Sequence, residues 1–371
     1  NPGWYTAYTP YQPEISQGRL EAIFAFQTAV TDLTGLAIAN ASMLDEATAA
    51  AEAMTLARRV WQGSDDAAFV IDSNLHPHVK AVIETRAKPL KINVIESNFK
   101  SEVEAEIFAA VIAYPNSTGE IKNIKPIIEK IQSRNALAIV DCDLLALTLF
   151  KSPGECGADI AIGSAQRFGV PVGFGGPHAG FMAVRNGLER SLPGRLVGQS
   201  VDSHGNLAFR LALQTREQHI RREKATSNIC TAQVLLSIMA AAYAIYHGPE
   251  GLKNIAGKIY GLTELLSAGL KKLGFTLENT QHFDTLTVQT GELTEEIRAY
   301  AEEAQRNFRY FKNDPSKLSI NLDETSSEDD VVAILAFFQR AKNHGIGGDE
   351  LTVAWQIPAS LTRKSSFMTH E

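Results

Sequence analysis

Apolar residues in the first half of the chain form short unbroken runs that alternate with stretches of helical spacing. An unbroken apolar run is typical of a strand buried on both faces, whereas recurrence every three to four residues is typical of a helix. The pattern predicts strands at 67–71, 92–95, 108–113, 137–140 and 159–162, and helices at 13–33, 45–60, 78–85 and 126–133. This alternation favours an α/β fold with a mainly parallel sheet.

Ligands of such sheets bind at the carboxyl ends of the strands. The loops that follow Val140 and Ile162 are therefore the places where the sequence predicts chemistry.

The pattern changes after about residue 251, where helices at 252–273, 294–305 and 328–343 accompany alternating strands at 275–278 and 285–289. Gly248 and Pro249 provide the punctuation of a domain boundary. We therefore expect an amino-terminal arm and helix over residues 1–33, a large domain over 34–248 and a smaller α/β domain over 249–371.

Composition excludes several classes of protein. The net charge of -7 argues against a nucleic-acid partner, because phosphate binding needs a concentrated basic face. No apolar run approaches the roughly 20 residues of a membrane span. Cys142, Cys156 and Cys230 lie far apart, which is typical of a reduced intracellular protein without a zinc site.

Four ordered stretches resemble one known family: residues 3–21, 39–54, 164–178 and 222–231. They are similar to the amino-terminal half, or subunit 1, of the P-proteins of the glycine cleavage system. The resemblance covers nearly all of the first 250 residues and continues more loosely to the end. It also suggests that a helical segment before Asn1 and the whole second half are missing from this chain.

The resemblance implies an aspartate-aminotransferase-like fold (type I) and the cofactor pyridoxal 5'-phosphate. In this family glycine loses its carboxylate as carbon dioxide, and the aminomethyl group passes to the lipoyl arm of H-protein. The implied partners are the carboxy-terminal half (subunit 2), lipoylated H-protein and glycine. The expected location is the bacterial cytoplasm, or the mitochondrial matrix in a eukaryote.

An enzyme of this fold holds its cofactor through a Schiff-base lysine, an aspartate under the pyridine nitrogen and a helix amino-terminus for the phosphate. The resemblance places Gln166 at the lysine position, and an amide cannot form an imine. Met43 and Leu44 would fill the phosphate cup, and we expect Ser42 to cap a helix there instead. Asp143 follows the right strand but is out of register, so we expect it to be a relic or a hydrogen-bonding residue rather than a cofactor partner.

A half without the lysine can still complete its partner's site. Residues 224–228 resemble a loop that reaches across the dimer to the neighbouring cofactor phosphate. The resemblance thus assigns cofactor contacts across the interface to Lys224, Thr226, Ser227 and Asn228. Nearby basic side chains suit a phosphate, although a solvated helix face with Glu217 and Glu223 as counter-ions is the alternative.

Tyrosines near the amino terminus form a second candidate. Pro10 and Pro13 interrupt this segment, so it is predicted to be a loop rather than a helix face. Tyrosine offers an apolar wall and a hydroxyl, which suits a small amino acid beside an aliphatic arm. The residues expected to line a substrate or lipoyl channel are Tyr5, Tyr8, Thr9, Tyr11, Glu14 and Gln17; packing at an interface is the alternative.

Three functions stay open at this stage. The first is a part of the glycine-decarboxylating enzyme that is inactive alone. The second is a non-catalytic scaffold for the catalytic half and for H-protein docking. The third is an independent pyridoxal-phosphate enzyme that acts on another amino acid and uses Lys224 or another lysine.

Overall fold

The computed structural model describes residues 9–214, 218–225, 233–345 and 354–370, except the side chains of residues 218, 219 and 224. The described chain divides into two compact units. The larger contains the described residues up to Ala113, Ile124–Glu250 and those from Arg363 onward. The smaller contains Tyr114–Asn123 and the described residues between Gly251 and Thr362.

The larger unit is built on a seven-stranded sheet with strands in the order β1-β7-β6-β5-β4-β2-β3. Its elements, in chain order, are α1 (Gln17–Thr34), β1 (Ile38–Ala39), α2 (Glu46–Val60), β2 (Ala68–Asp72), α3 (Pro77–Ala87), β3 (Val94–Ser97), β4 (Ile107–Tyr114), α4 (Lys125–Gln132), β5 (Leu137–Cys142), β6 (Ile160–Ser164), β7 (Gly180–Val184), β8 (Val197–Val201), β9 (Leu207–Leu211), α5 (Gln218–Arg221) and the first part of α6 (Val234–Lys272), whose residues from Gly251 onward belong to the smaller unit.

The predicted parallel strands are confirmed. β2 runs parallel to β3 and β4, and β5 runs parallel to β6. Every residue of β2 and β4 is buried, as expected for strands covered on both faces. The sequence pattern missed β7, which is antiparallel to β6 and β1, and the hairpin β8–β9. β8 and β9 alternate with exposed residues, so they lack the unbroken apolar signature.

Helix boundaries follow local chemistry. α1 begins at Gln17, four residues later than predicted, because a turn around Pro13 precedes it. α2 begins where predicted, but its cap is Asp45, whose carboxylate accepts the Thr48 N–H at 2.7 Å. The expectation of a Ser42 cap is wrong, because Ser42 lies three residues before the helix cap and is buried. α6 breaks at Gly248, whose φ of 62° is outside the helical region.

The smaller unit has an antiparallel sheet in the order β10-β11-β13-β12, with leucine-rich packing between sheet and helices. Its further elements are β10 (Thr276–Leu277), β11 (Thr285–Gln289), α7 (Thr294–Glu303), β12 (Arg309–Tyr310), β13 (Lys317–Asn321) and α8 (Glu328–Lys342). The predicted strands and helices after residue 251 are present, and β12 and β13 were missed.

Two segments depart from the expected domain ranges. Residues 114–123 belong to the smaller unit because the Thr118 carbonyl accepts bonds from Asn279 Nδ2 (2.7 Å) and Thr287 Oγ1 (2.8 Å). The end of the chain belongs to the larger unit, because buried Arg363 donates to the carbonyls of Leu33 and Leu147 at 2.6 and 2.8 Å. Such long-range hydrogen bonds leave no local pattern in the sequence.

The start of α2 lies unusually close to β7. Met43 and Gly180 exchange both backbone bonds, at 2.7 and 3.1 Å. A Cβ on residue 180 would lie 2.5 Å from the carbonyl oxygen of Asp45. Only glycine therefore lets the helix start against the sheet.

We expect Gly180→Ala to lower the free energy of unfolding by about 1–3 kcal/mol, because the added methyl group overpacks backbone that cannot move aside. Denaturant unfolding monitored by far-UV circular dichroism measures it. The control is Gly18→Ala in α1, where nothing lies within 4 Å of the added Cβ. That variant should be unchanged or more stable by up to about 1 kcal/mol. Equal stability of Gly180→Ala and wild type would contradict the close approach.

Candidate functional site

The carboxyl ends of β5 and β6 bring the candidate residues to one edge of the sheet. Asp141 pairs in register with Ile162 of the parallel neighbour. Asp143 follows β5, and Gln166 and Arg167 follow β6. α2 packs against both strands, and its first residue, Glu46, lies at the same edge. The loops after Val140 and Ile162 thus follow neighbouring strands at one edge of the sheet, and a chemical role for them stays a prediction.

Asp143 is fully engaged within the chain. Its Oδ2 pairs with Arg167 Nε at 2.7 Å, while its Oδ1 accepts the N–H groups of Leu145 and Ala146 at 2.8 and 2.9 Å. This carboxylate caps the turn after β5 and anchors the loop after β6. The geometry agrees with the hydrogen-bonding role expected for it.

Asp141 faces Glu46, a residue that the sequence analysis did not single out. Asp141 is buried near the end of β5, whereas Glu46 at the start of α2 is half-buried. Burial, then the charge of Glu46, raise the pKa of Asp141 well above its usual range. Burial likewise raises the pKa of Glu46, although the positive charge of His78 acts in the opposite direction. An acidic first turn of a helix that starts at this sheet edge was the available signal.

Gln166 lies just beyond the end of β6, in a tight turn. Its N–H donates to Ser164 Oγ at 3.1 Å, and its carbonyl accepts the N–H of Val170 at 3.1 Å. The turn fixes the backbone where the family resemblance expects the lysine. An amide at this place cannot bind a carbonyl cofactor covalently.

The amino terminus of α2 is unsuited to a phosphate. Helix N–H groups attract anions, but here the Asp45 carboxylate already accepts the Thr48 N–H at 2.7 Å. Glu46 adds a second acid in the same turn, and Met43 is fully buried beneath it. A pyridoxal phosphate would meet the carboxyl groups of Asp45 and Glu46 here, and the residue that follows β6 at the expected lysine position is Gln166. The described residues of the larger unit therefore do not fit the cofactor implied by the fold.

The amino-terminal loop is tied back to α1. The N–H of Tyr11 donates to Thr9 Oγ1 at 3.2 Å, and Arg19 donates to the Thr9 carbonyl at 3.4 Å. The Arg195 guanidinium lies 5.1 Å from the centre of the Tyr11 ring. Burial raises the pKa of Tyr11 to about 12, so its hydroxyl stays protonated at neutral pH. Tyr5 and Tyr8 lie outside the described residues.

Gln17 and Glu14 differ in their surroundings. Gln17 pairs with the backbone of Phe209 in both directions, donating at 2.9 Å and accepting at 2.8 Å. Gln27, further along α1, pairs in the same way with the backbone of Val197, donating at 3.0 Å and accepting at 2.9 Å. The two amides attach the hairpin β8–β9 to α1. Glu14 is exposed. The channel role of Glu14 and Gln17 stays a prediction, and Gln17 has this structural role in addition.

The loop expected to contact the partner's phosphate lies largely outside the described part of the chain. Thr226, Ser227 and Asn228 are not described, nor is the side chain of Lys224. Arg221 and Arg222, just before them, are exposed. The cofactor contacts across the interface therefore stay a prediction.

The fold defines the class of protein. The structure resembles an aspartate aminotransferase of Thermus thermophilus, with a TM-score of 0.61 over 90% of this chain and 92% of that one. At 11% sequence identity this likeness shows the fold alone. The larger unit thus has the aspartate-aminotransferase-like fold of pyridoxal-phosphate enzymes, as the sequence predicted.

The family is shown by closer matches. The sequence profile described as glycine cleavage system P-protein matches residues 1–338. A glycine dehydrogenase (decarboxylating) of Rhodopseudomonas palustris (strain BisA53) is 55% identical over 374 aligned residues, which cover this whole chain. A solved glycine decarboxylase (P-protein) of the glycine cleavage system, in inhibitor-bound form, is 35% identical. Its TM-score is 0.83, over 91% of this chain and 79% of that one.

The chain therefore belongs to the glycine cleavage system P-protein family, and it corresponds to the amino-terminal half. It spans 38% of the length of the Rhodopseudomonas relative. Among the described residues, no helix is long and apolar enough to cross a membrane.

We expect Gln17→Ala to lower the free energy of unfolding by about 1–2 kcal/mol, because two hydrogen bonds to the hairpin backbone are lost. Hydrogen exchange should rise at the N–H of Phe209, which loses its acceptor. Glu14→Ala is the control and should change stability by less than about 0.5 kcal/mol. A Gln17→Ala variant as stable as wild type would remove the structural role and leave the channel role.

Proposed function

We propose that this chain is the half of a glycine-decarboxylating enzyme that completes an active site whose Schiff-base lysine lies in the other half. The observation that carries the proposal is that Gln166 follows β6, where the family resemblance expects the lysine. The acidic start of α2 supports it, because Asp45 and Glu46 disfavour a phosphate there. Membership of the P-protein family and the 38% coverage of a relative's length support a partner half for this chain.

Exposed apolar side chains in the larger unit support a partner for this chain. Leu235, Met239 and Tyr246 are exposed on the first segment of α6 and recur at helical spacing, so they share one face. Val172 and Phe174, in the glycine-rich loop after Gln166, are also exposed. Apolar surface of this kind marks interaction sites in proteins that function as assemblies.

The proposed reaction uses the whole protein. Glycine loses its carboxylate as carbon dioxide, and its aminomethyl group passes to the lipoyl arm of H-protein. Pyridoxal phosphate, held by the other half, supplies the electron sink for decarboxylation. We assign to this half the loop 224–228, which would donate to the cofactor phosphate, and a tyrosine-lined loop beside the substrate or lipoyl channel.

Reconstitution tests this division of roles. We expect this chain and the carboxy-terminal half to exchange labelled bicarbonate into glycine only when they are combined with lipoylated H-protein. After borohydride reduction of the loaded assembly, the modified lysine should map to the carboxy-terminal half, because Gln166 cannot form the bond. Exchange by this chain alone, or a stoichiometric adduct on one of its lysines, would overturn the proposal.

We further expect Thr226→Ala to weaken cofactor binding by the assembled enzyme. Losing a hydroxyl bond to a charged phosphate costs about 1.5–3 kcal/mol, which corresponds to roughly 10- to 150-fold in affinity. Cofactor titration of the assembled enzyme measures it. Thr226→Ser, which keeps the hydroxyl, should retain affinity.

The control is Ser203→Ala, because this exposed serine lies in the turn between β8 and β9, outside the loop assigned to the phosphate, and the variant should keep wild-type affinity. Equal cofactor affinities for Thr226→Ala and wild type would remove Thr226 from the site.

A further inference from the structure

Residues 363–370 lie across the larger unit as a short segment, the terminal strap. Arg363 at its start is 9% exposed, and its guanidinium donates to backbone carbonyls of three separate segments. The acceptors are the carbonyl oxygens of Asp32 (2.7 Å), Leu33 (2.6 Å), Leu147 (2.8 Å) and Ser365 (3.1 Å). Most N–H donors of the guanidinium are thus bound to the backbone.

The carboxyl end of α1 is completed by residues distant in the sequence. The last four carbonyls of a helix have no partner within it, and a cation is favourable beside them. In α1 the Thr31 carbonyl accepts the Gly35 N–H and the Thr34 carbonyl accepts the Gly154 N–H, both at 2.8 Å. Arg363 binds the remaining two carbonyls. It also supplies the positive charge, because the sequence of the last turn of α1 contains no basic residue.

A second helix end meets the same guanidinium. The loop after β5 contains one helical turn, Ala146–Thr148, and Asp143 Oδ1 accepts N–H groups at its start. At the other end of the turn Arg363 Nη1 donates to the Leu147 carbonyl, and the Arg363 N–H donates to the Leu149 carbonyl at 2.8 Å. An anion at the start and a cation at the end both match the dipole of the turn. The loop is therefore held from both ends.

The backbone of the terminal strap is anchored as well. Asp32 Oδ2 accepts the Met368 N–H at 2.7 Å, and Glu155 Oε1 accepts the Ser365 N–H at 3.2 Å. Phe367 is buried, and its ring centre lies 4.8 Å from the guanidinium carbon. These contacts restrict the strap to one position, so the guanidinium reaches both helix ends at the same time.

The loop that the strap holds leads to the candidate site. Asp143 Oδ2 pairs with Arg167 Nε at 2.7 Å, and Arg167 follows Gln166 in the loop after β6. We propose that the terminal strap is a conformational lock for this edge of the sheet: Arg363 caps two helix ends together and thereby holds Asp143 against Arg167. Arg363 is a positioning residue in this lock, and lifting the strap frees both loops. The inference does not depend on the proposed function, because it concerns hydrogen bonds within this chain.

Hydrogen exchange with mass spectrometry of the whole chain tests the lock. The variant is Arg363→Lys, which keeps the charge, although a single ammonium cannot bind the carbonyls of both helix ends as the guanidinium fork does. We expect protection to fall by at least about tenfold in peptides covering residues 31–36 and 143–150, because hydrogen bonds from a charged group are lost there. Protection of the buried strands β2 and β4 should stay within about twofold of wild type.

Arg134→Lys is the matched control. Arg134 also donates to two backbone carbonyls of the larger unit, those of Val103 and Ala105. It precedes β5, whereas Asp143 follows that strand, so the two residues lie at opposite ends of β5. This variant should leave protection at residues 143–150 at the wild-type level.

NMR gives a readout of the candidate site itself. The Arg167 Nε–H, which is paired with Asp143, should give a slowly exchanging resonance that is assigned by its loss in Arg167→Lys. Arg363→Lys should shift this resonance and speed its exchange with water, whereas Arg134→Lys should do neither. An unchanged Arg167 resonance in Arg363→Lys would overturn the lock. A loss of protection spread evenly over the larger unit would also overturn it, because that is the effect of a residue that only stabilises the fold.

A second variant keeps the test decisive if Arg363→Lys does not fold. Asp32→Ala removes the acceptor of the Met368 N–H but leaves Arg363 and its backbone acceptors in place. Protection should fall by about threefold or more at residues 143–150, because one anchor of the strap is lost. Wild-type protection at these residues in Asp32→Ala would contradict the lock.

Discussion

Helix α2 starts within backbone contact of strand β7, and much of the larger unit depends on this contact. It exists because residue 180 is a glycine: a Cβ there would lie 2.5 Å from the Asp45 carbonyl oxygen. The mutual bonds between Met43 and Gly180 then define the height at which α2 begins. That height brings Glu46 level with the carboxyl ends of β5 and β6, where ligands of such sheets bind.

This placement explains why the half is unsuited to its fold's cofactor. A helix amino-terminus at this edge is an anion site, and here acidic residues of the same chain occupy it. Gln166 follows β6 where the family resemblance expects the anchoring lysine, and Asp143 is engaged by Arg167 at 2.7 Å. The acidic residues at the start of α2 and the glutamine after β6 are consistent with each other, because a site that binds no phosphate tolerates carboxyl groups.

The attachment of the hairpin β8–β9 shows a different use of polar side chains. Gln17 and Gln27 of α1 each bond to a backbone N–H and carbonyl of the hairpin, at 2.8–3.0 Å. A primary amide has the same donor and acceptor as a peptide group, so it satisfies an exposed strand edge in place of another strand. Gln17, which the sequence suggests as a substrate or lipoyl contact, therefore also covers the edge of a strand in the fold.

The sequence by itself determined the features that are encoded locally. Unbroken apolar runs identified β2 to β6, and helical spacing identified α2, α3 and α4. The spacing of buried residues along an element is set by the local backbone conformation, so it can be read from neighbouring residues in the sequence. Gln166 was recognisable as a non-reactive residue because its chemistry does not depend on its surroundings. Only the tertiary structure decided the antiparallel insertion of β7, the assignment of residues 114–123 to the smaller unit and the close approach of the start of α2 to Gly180. Each of these features joins segments that are far apart in the sequence. Which segments meet is determined by the order of the strands and by how closely the backbones approach, and no local sequence pattern records either.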